Sequence, residues 1–273
     1  MLSGPKILIE GSSGSGKTFS LSTLIKWAER NNKEVFILFT ENGLETLLGS
    51  MDKIPDCVHW HISSVSAPSL DSLINASEDT GKLSYEMLTK KIDPSRGKNN
   101  PWTQLLMDMK DFPCDRTGKR YGNIGEWNTD RILVIDSLTE VSVACFKAML
   151  GNKLTASPPE YLVSQNNLLN WLRMMTQGLQ CTFVLTAHVQ KINDEITGRM
   201  TLMTKTMIGK AISDDIPQLF SEAIYTRREG NEFYWSTATS GVDTKTRYLP
   251  LSEKIKPDFS LIMDEWQKRS DKI

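Results

Sequence analysis

Apolar residues gather along the chain in short unbroken runs, each closed by a polar residue. Ile7-Leu8-Ile9 ends at Glu10, Val35 to Phe39 at Thr40-Glu41, and Ile132 to Ile135 at Asp136. Cys181 to His188 is a further run of the same kind. Continuous rather than alternating apolar character is what parallel strands covered on both faces show. Between the first two runs, apolar positions 21, 24, 25 and 28 repeat at helical spacing over 19–30. Trp102, Leu105, Leu106 and Met109 form a second helical stripe, expected to face the core, and 70–91 also reads as helical. Ala223–Arg228 and Glu232–Thr237 flank Glu229-Gly230-Asn231, a hairpin with a glycine in its turn. The pattern predicts an α/β fold, a mostly parallel twisted sheet flanked by helices with a C-terminal β-hairpin. The core spans 1–250, with 64–130 as a helical and loop insertion, and 251–273 is a tail with a peripheral helix. No internal repeat is present.

The polar stretch after the first run changes this from a fold to a chemistry. Gly11-Ser12-Ser13-Gly14-Ser15-Gly16-Lys17-Thr18 satisfies G-x-x-x-x-G-K-[ST] between a strand and a helix. Its glycines allow torsions that turn successive N–H groups toward one phosphate. Lys17 then reaches the β- and γ-phosphates of ATP, and the Thr18 hydroxyl sits on Mg²⁺. The start of the following helix adds free N–H groups and its dipole.

A metal on Thr18 needs a carboxylate from a neighbouring strand end. Asp136 closes its run at such a position and is expected to hold Mg²⁺; the competing reading is a cap for the next helix. In many ATPases of the AAA+ class a catalytic glutamate follows that aspartate, whereas Ser137 stands here. The water-activating base is therefore expected at Glu41, at the end of another strand, with Glu140 second. Cys57-Val58-His59-Trp60-His61 alternates as a strand does and lacks a spaced fourth ligand, so no metal is expected there.

Composition narrows the class little further. Hydrophobic residues at 39% and charged residues at 24% describe an ordinary globular chain. A net charge of −1 argues against a general nucleic-acid coat but leaves room for a local basic loop. No window approaches the roughly 18 apolar residues of a span, so no membrane is expected. The N-terminus runs straight into a strand with no signal-peptide pattern. Four cysteines, with no CxxC pair, suit reduced thiols in a cytoplasmic protein.

"GSSGSGKT", "FILFTENGLE", "RILVIDSLTE", "VLTAH" and "DTKTR" together resemble a core-only RecA-like P-loop ATPase, most closely the phage-encoded kind that includes single-strand annealing proteins. The resemblance implies that Glu41 orients the attacking water and that His188 senses the γ-phosphate. It implies that 189–210 is a loop touching single-stranded DNA through Lys191, Arg199, Lys205 and Lys210, although that stretch has no aromatic for base stacking. Lys245 and Arg247 match the paired cations that such enzymes extend into a neighbour's ATP; an ordinary basic strand is the alternative. Partners follow from the same source: single-stranded DNA, a homo-oligomeric ring or filament with ATP at subunit interfaces, and a single-strand-binding protein. The location would be the bacterial host cytoplasm if the chain is phage-encoded. The sequence departs from the family in showing no separate domain before the phosphate loop.

The resulting expectation is an Mg²⁺-dependent, DNA-stimulated ATPase acting on single-stranded DNA in recombination or strand annealing. A helicase or DNA-packaging motor shares the same core and stays open. A small-molecule kinase would want an arginine-rich lid, whereas arginines 116, 120, 199, 227 and 228 are dispersed. A regulatory nucleotide switch with negligible turnover is the fourth reading. The segment 114–130 sets basic residues beside Tyr121 and Trp127, a second place where nucleic acid or solvent could be met.

Overall fold

A computed structural model describes residues 2–63, 100–151, 156–193 and 200–272, with the single positions 70, 74, 77 and 78. The helix expected over 70–91 and Arg199 lie outside the described residues or nearly so. The described elements are β1 (Lys6–Gly11), α1 (Lys17–Arg30), β2 (Glu34–Phe39), α2 (Leu44–Gly49), β3 (Val58–Ile62), α3 (Pro101–Lys110), β4 (Arg131–Asp136), α4 (Leu138–Leu150), α5 (Pro158–Arg173), β5 (Thr182–Asn193), β6 (Met200–Thr204), α6 (Asp215–Gln218), β7 (Glu222–Glu229), β8 (Glu232–Ser236) and α7 (Ser260–Ser270).

The strands form one sheet in the order β3-β2-β4-β5-β1-β7-β8, with β6 paired to β5. From β3 to β7 every neighbour is parallel, and β8 closes the edge as the antiparallel arm of the expected hairpin. Both faces are covered, which is why the strands read as unbroken apolar runs. Leu8, Phe36, Leu38, Leu133, Ile135, Phe183 and Leu185 face a cluster that includes Leu105, Val141, Leu168 and Trp171 of α3, α4 and α5. Their chain neighbours Ile7, Ile9, Val35, Ile37, Phe39, Ile132, Val134 and Val184 face α1 and α7. The carboxyl ends of β1, β2, β4 and the parallel part of β5 therefore emerge along one sheet edge, where open α/β sheets bind ligands.

Four expectations change. The stretch 189–210 is not a loop throughout: β5 runs on past His188, and Val189–Asn193 pairs antiparallel with Met200–Thr204. Weak periodicity hid a two-stranded ribbon whose faces are both half-open. Leu106 departs from the core stripe; it is exposed, whereas Leu105 and Met109 are buried.

In the segment 114–130, Arg116, Tyr121 and Trp127 are spent on the fold, whereas most of its other residues, Lys119 and Arg120 among them, are exposed as in a solvated loop. Trp127 is buried and its Nε1 donates to the Tyr121 carbonyl at 3.1 Å. Arg131 stacks over Trp127 and Phe36 at 5.1 and 5.2 Å. Arg116 donates to the carbonyls of Pro55 and Val58 at 2.6 and 3.1 Å. Finally, the C-terminal helix is not peripheral. Ile262, Met263 and Trp266 are buried against the α1 side of the sheet, and Trp27 Nε1 donates to Asp264 at 2.6 Å. The short apolar stripe of α7, set among charges, concealed this.

Candidate active site

The phosphate loop connects β1 to α1 and is anchored on both sides. Gly11 pairs with His188 of β5 and with Thr226 of β7. A Cβ on Gly11 would stand 2.5 Å from both Ser15 Oγ and the Thr226 carbonyl, so only glycine fits. Gly14 and Gly16 have φ of 72° and 94°, the left-handed region that glycine adopts without cost. Thr226 Oγ1 donates to the Ser15 carbonyl at 2.8 Å and ties the loop to β7. Ser12, Ser13 and Gly14 are exposed at the rim. Gly16 is the residue before α1, whose first N–H groups have no helical partner.

Lys17 is buried, and its Nζ donates to the carbonyls of Gly11 and Ser12 at 3.0 and 2.9 Å. Burial pulls its pKa down, partly offset by the carboxylates of Asp136 and Glu41. Thr18 Oγ1 donates to Asp136 Oδ2 at 2.8 Å, and Thr186 Oγ1 donates to Oδ1 of the same carboxylate. Burial pushes the Asp136 pKa up; the two threonines oppose that. A desolvated carboxylate beside a hydroxyl is a hard-oxygen pair that gains from a cation, so these residues fit Mg²⁺. Gly43 makes room, since a Cβ there would lie 2.6 Å from Asp136 Oδ2.

Glu41 lies just beyond β2. Ser137 Oγ donates to its Oε1, and Thr40 locks the two strand ends together, its N–H donating to the Asp136 carbonyl at 2.7 Å. His188 stands between the opposite charges of the site. Its Nδ1 is 3.3 Å from Lys17 Nζ and its Nε2 is 3.3 Å from Glu41 Oε2. With Lys17 as an ammonium, Nδ1 is the acceptor of this contact and a neutral ring then directs its Nε2–H at Glu41. The hydrogen bond from His188 is the main cause holding the Glu41 pKa below the usual range, against the effect of burial. An ionised carboxylate at the edge of the cradle can accept a proton from water.

The structure thus brings Lys17, Thr18, Glu41, Asp136 and His188 together. Lys191 and Lys205 are exposed on and just after the β5–β6 ribbon, and Lys210 is exposed in the turn that follows. Lys245 and Arg247 lie elsewhere. Lys245 bridges Ala223, which is level with Leu8 rather than with the loop, and its Nζ donates to the Gln218 carbonyl at 2.8 Å. The Arg247 N–H donates to the buried Glu222 carboxylate at 2.5 Å.

Five further residues belong to the neighbourhood: Thr40, Gly43, Thr186, Glu10 and Thr204. Thr186 had a signal, a hydroxyl inside an apolar run two residues before His188 and so on the same strand face. Glu10 is fully buried one residue before the loop, with Thr204 Oγ1 at 3.1 Å from each carboxyl oxygen. Burial raises its pKa to about 8.

A phosphate loop between a strand and a helix, with an acidic strand end beside it, defines a P-loop ATPase on a mostly parallel sheet. Residues 3–248 match the model of a family described as AAA domain, and the chain belongs to that family. Among solved structures it is similar to the flagellar accessory protein FlaH from Methanocaldococcus jannaschii, at 12% identity over 93% of this chain and 84% of that one. The TM-score of that match is 0.36. None of the curated proteins compared with the chain matches it. Among the described residues, no helix is long and apolar enough to cross a membrane.

Proposed function

We propose that this chain is an Mg²⁺-dependent ATPase that acts on single-stranded DNA in recombination or strand annealing. The observation that carries the reading is the continuity of β5. One strand bears Thr186 on the Asp136 carboxylate, His188 between Lys17 and Glu41, and Lys191 on an exposed ribbon beyond them.

In this reading the N–H groups of Gly14 to Thr18 and the Lys17 ammonium hold the phosphates, and Thr18 and Asp136 hold Mg²⁺. The metal withdraws charge from the phosphate oxygens when bound. Glu41 takes the proton of the attacking water, with Ser137 and His188 fixing the carboxylate's orientation. A γ-phosphate beside Lys17 competes for the ammonium that now faces His188, which ties the ring, and with it β5, to the nucleotide state. Lys191, Lys205 and Lys210 meet DNA phosphates without reading sequence. Lys245 and Arg247, remote from their own cradle, serve a neighbouring subunit's ATP in a ring or filament, with a single-strand-binding protein as a further partner.

The test is the ATPase rate with and without single-stranded DNA. Stimulation is the expected result, and a rate indifferent to DNA overturns the nucleic-acid half of the proposal. Strand displacement with little annealing would favour a helicase or packaging motor instead.

A further inference from the structure

The β7–β8 hairpin overhangs the phosphate loop. β7 pairs with β1 only as far as Gly11–Thr226, then continues through Arg227 and Arg228 before turning. Phe233, opposite Arg228 on β8, lies flush against the loop: a Cβ on Gly16 would meet its ring at 2.6 Å. Phe19, one residue past Thr18, packs against Phe233 with ring centroids 5.2 Å apart, yet 43% of it stays exposed. The Arg228 guanidinium lies over the other aromatic at 5.8 Å from the Phe233 centroid. Two aromatics and an arginine thus border the cradle, with an open aromatic surface that the fold leaves uncovered.

Strand order says which end of a nucleotide would meet them. Asp136, Glu41 and His188 belong to the β2-β4-β5 side of β1, so the reactive phosphate end points that way. The nucleoside end must then lie on the opposite side of β1, over β7 and β8. We propose that Phe19, Phe233 and Arg228 form the nucleobase subsite of the bound nucleotide, a stacking surface that favours purines through their larger π-face. Stacking reads area rather than base edges, so adenine and guanine bind alike here. The inference rests on the proposed use of the cradle as a triphosphate site.

Equilibrium binding of ATP, GTP, UTP and inorganic tripolyphosphate, each with Mg²⁺, tests it. In the wild-type chain, ATP and GTP are expected to bind more tightly than UTP, and all three more tightly than tripolyphosphate. Phe19→Ala and Phe233→Ala should weaken ATP binding about tenfold, the scale of one base–aromatic stack, and leave tripolyphosphate unchanged. Phe233→Tyr should restore ATP binding, which separates stacking from a misfolded loop. Equal wild-type affinity for ATP and tripolyphosphate would overturn the subsite while leaving the cradle intact. Failure to bind either ligand would overturn both. Loss of single-stranded-DNA binding with ATP binding unchanged would assign the aromatics to nucleic acid and also overturn the proposal.

Discussion

The amide of Lys205 donates to the carbonyl of His188 at 2.7 Å. The return strand of the ribbon therefore ends on the very residue whose ring lies between Lys17 and Glu41. One residue earlier, Thr204 contacts the Glu10 carboxyl beneath the phosphate loop. Whatever shifts the site is felt at the root of the ribbon through the main chain as well as through side chains.

If the ribbon holds DNA phosphates, the double variant Lys191→Ala/Lys205→Ala should weaken binding to single-stranded oligonucleotides of any sequence. The slope of log affinity against log salt should fall by about 0.7 per lysine removed. Fluorescence anisotropy across a salt series measures both. Unchanged slope would remove the ribbon from the DNA interface.

Glu41→Gln keeps the shape of the side chain but removes its basicity. Turnover should fall by about 10²–10⁴-fold, the range for loss of a general base, while nucleotide affinity stays near the wild-type value. Steady-state ATPase assays beside equilibrium binding separate the two quantities. A full-rate Glu41→Gln enzyme would point to another base, Glu140 in the first turn of α4 being the next to test.

Glu10 carries a pH signature. Its folded pKa, raised to about 8 by burial, lies above its ordinary value of 4.5. Between those values the folded chain holds a proton that the unfolded chain has released, so stability falls as pH rises through this window. Glu10→Gln mimics the protonated form and should flatten that decline, leaving the variant more stable than wild type above pH 8 by on the order of 1–3 kcal/mol. Chemical denaturation at several pH values reads the effect.

Lys245 bridges Ala223 and the Arg247 N–H meets Glu222, three and four residues before the Thr226 that pairs with the loop; if the pair serves a neighbour's ATP as proposed, a mixing experiment is decisive. Lys17→Ala and Arg247→Ala subunits should each be inactive alone. Mixed together, they should regain part of the ATPase rate, because an intact cradle then meets an intact arginine across an interface. No recovery, or full activity of Arg247→Ala alone, would leave these residues as structural cations at the Glu222 corner.

Trp266→Ala should cost about 3–5 kcal/mol, as expected for an emptied aromatic site in a core. The side chain is buried, and its Nε1 donates to the Ser3 carbonyl at 3.0 Å, holding the two chain ends together. A shift in denaturant midpoint measures it; a change under 1 kcal/mol would mean that the C-terminal helix rests lightly on the core.

What could be read from the sequence follows a physical divide. β1, α1, β2 and β4 were legible because buried parallel strands and amphipathic helices impose long, uninterrupted patterns, and the loop's spacing is dictated by phosphate geometry. Glu41, Asp136 and His188 stood out because each closes an apolar run. Glu10 closes a run as well and Thr186 interrupts one, but the partners that give each its role, Thr204 and Asp136, are 194 and 50 residues away and nothing local announces them. The ribbon escaped notice because neither of its faces is fully buried, so nothing forces alternation. The C-terminal helix was misjudged because three buried side chains among many charges make a narrow stripe, and its packing surface lies on α1, far off in sequence.

β5 runs twelve residues without a break, and its two halves have different neighbours. The first half is clamped between β1 and β4; among the described residues, the second pairs with β6. Such a strand works as a cantilever. Its clamped end sits among the phosphate-facing groups, and the free arm from His188 to Asn193 reaches about 17 Å beyond them. With no bend or glycine along that arm to absorb motion, a small tilt at the histidine becomes a larger sweep at the tip.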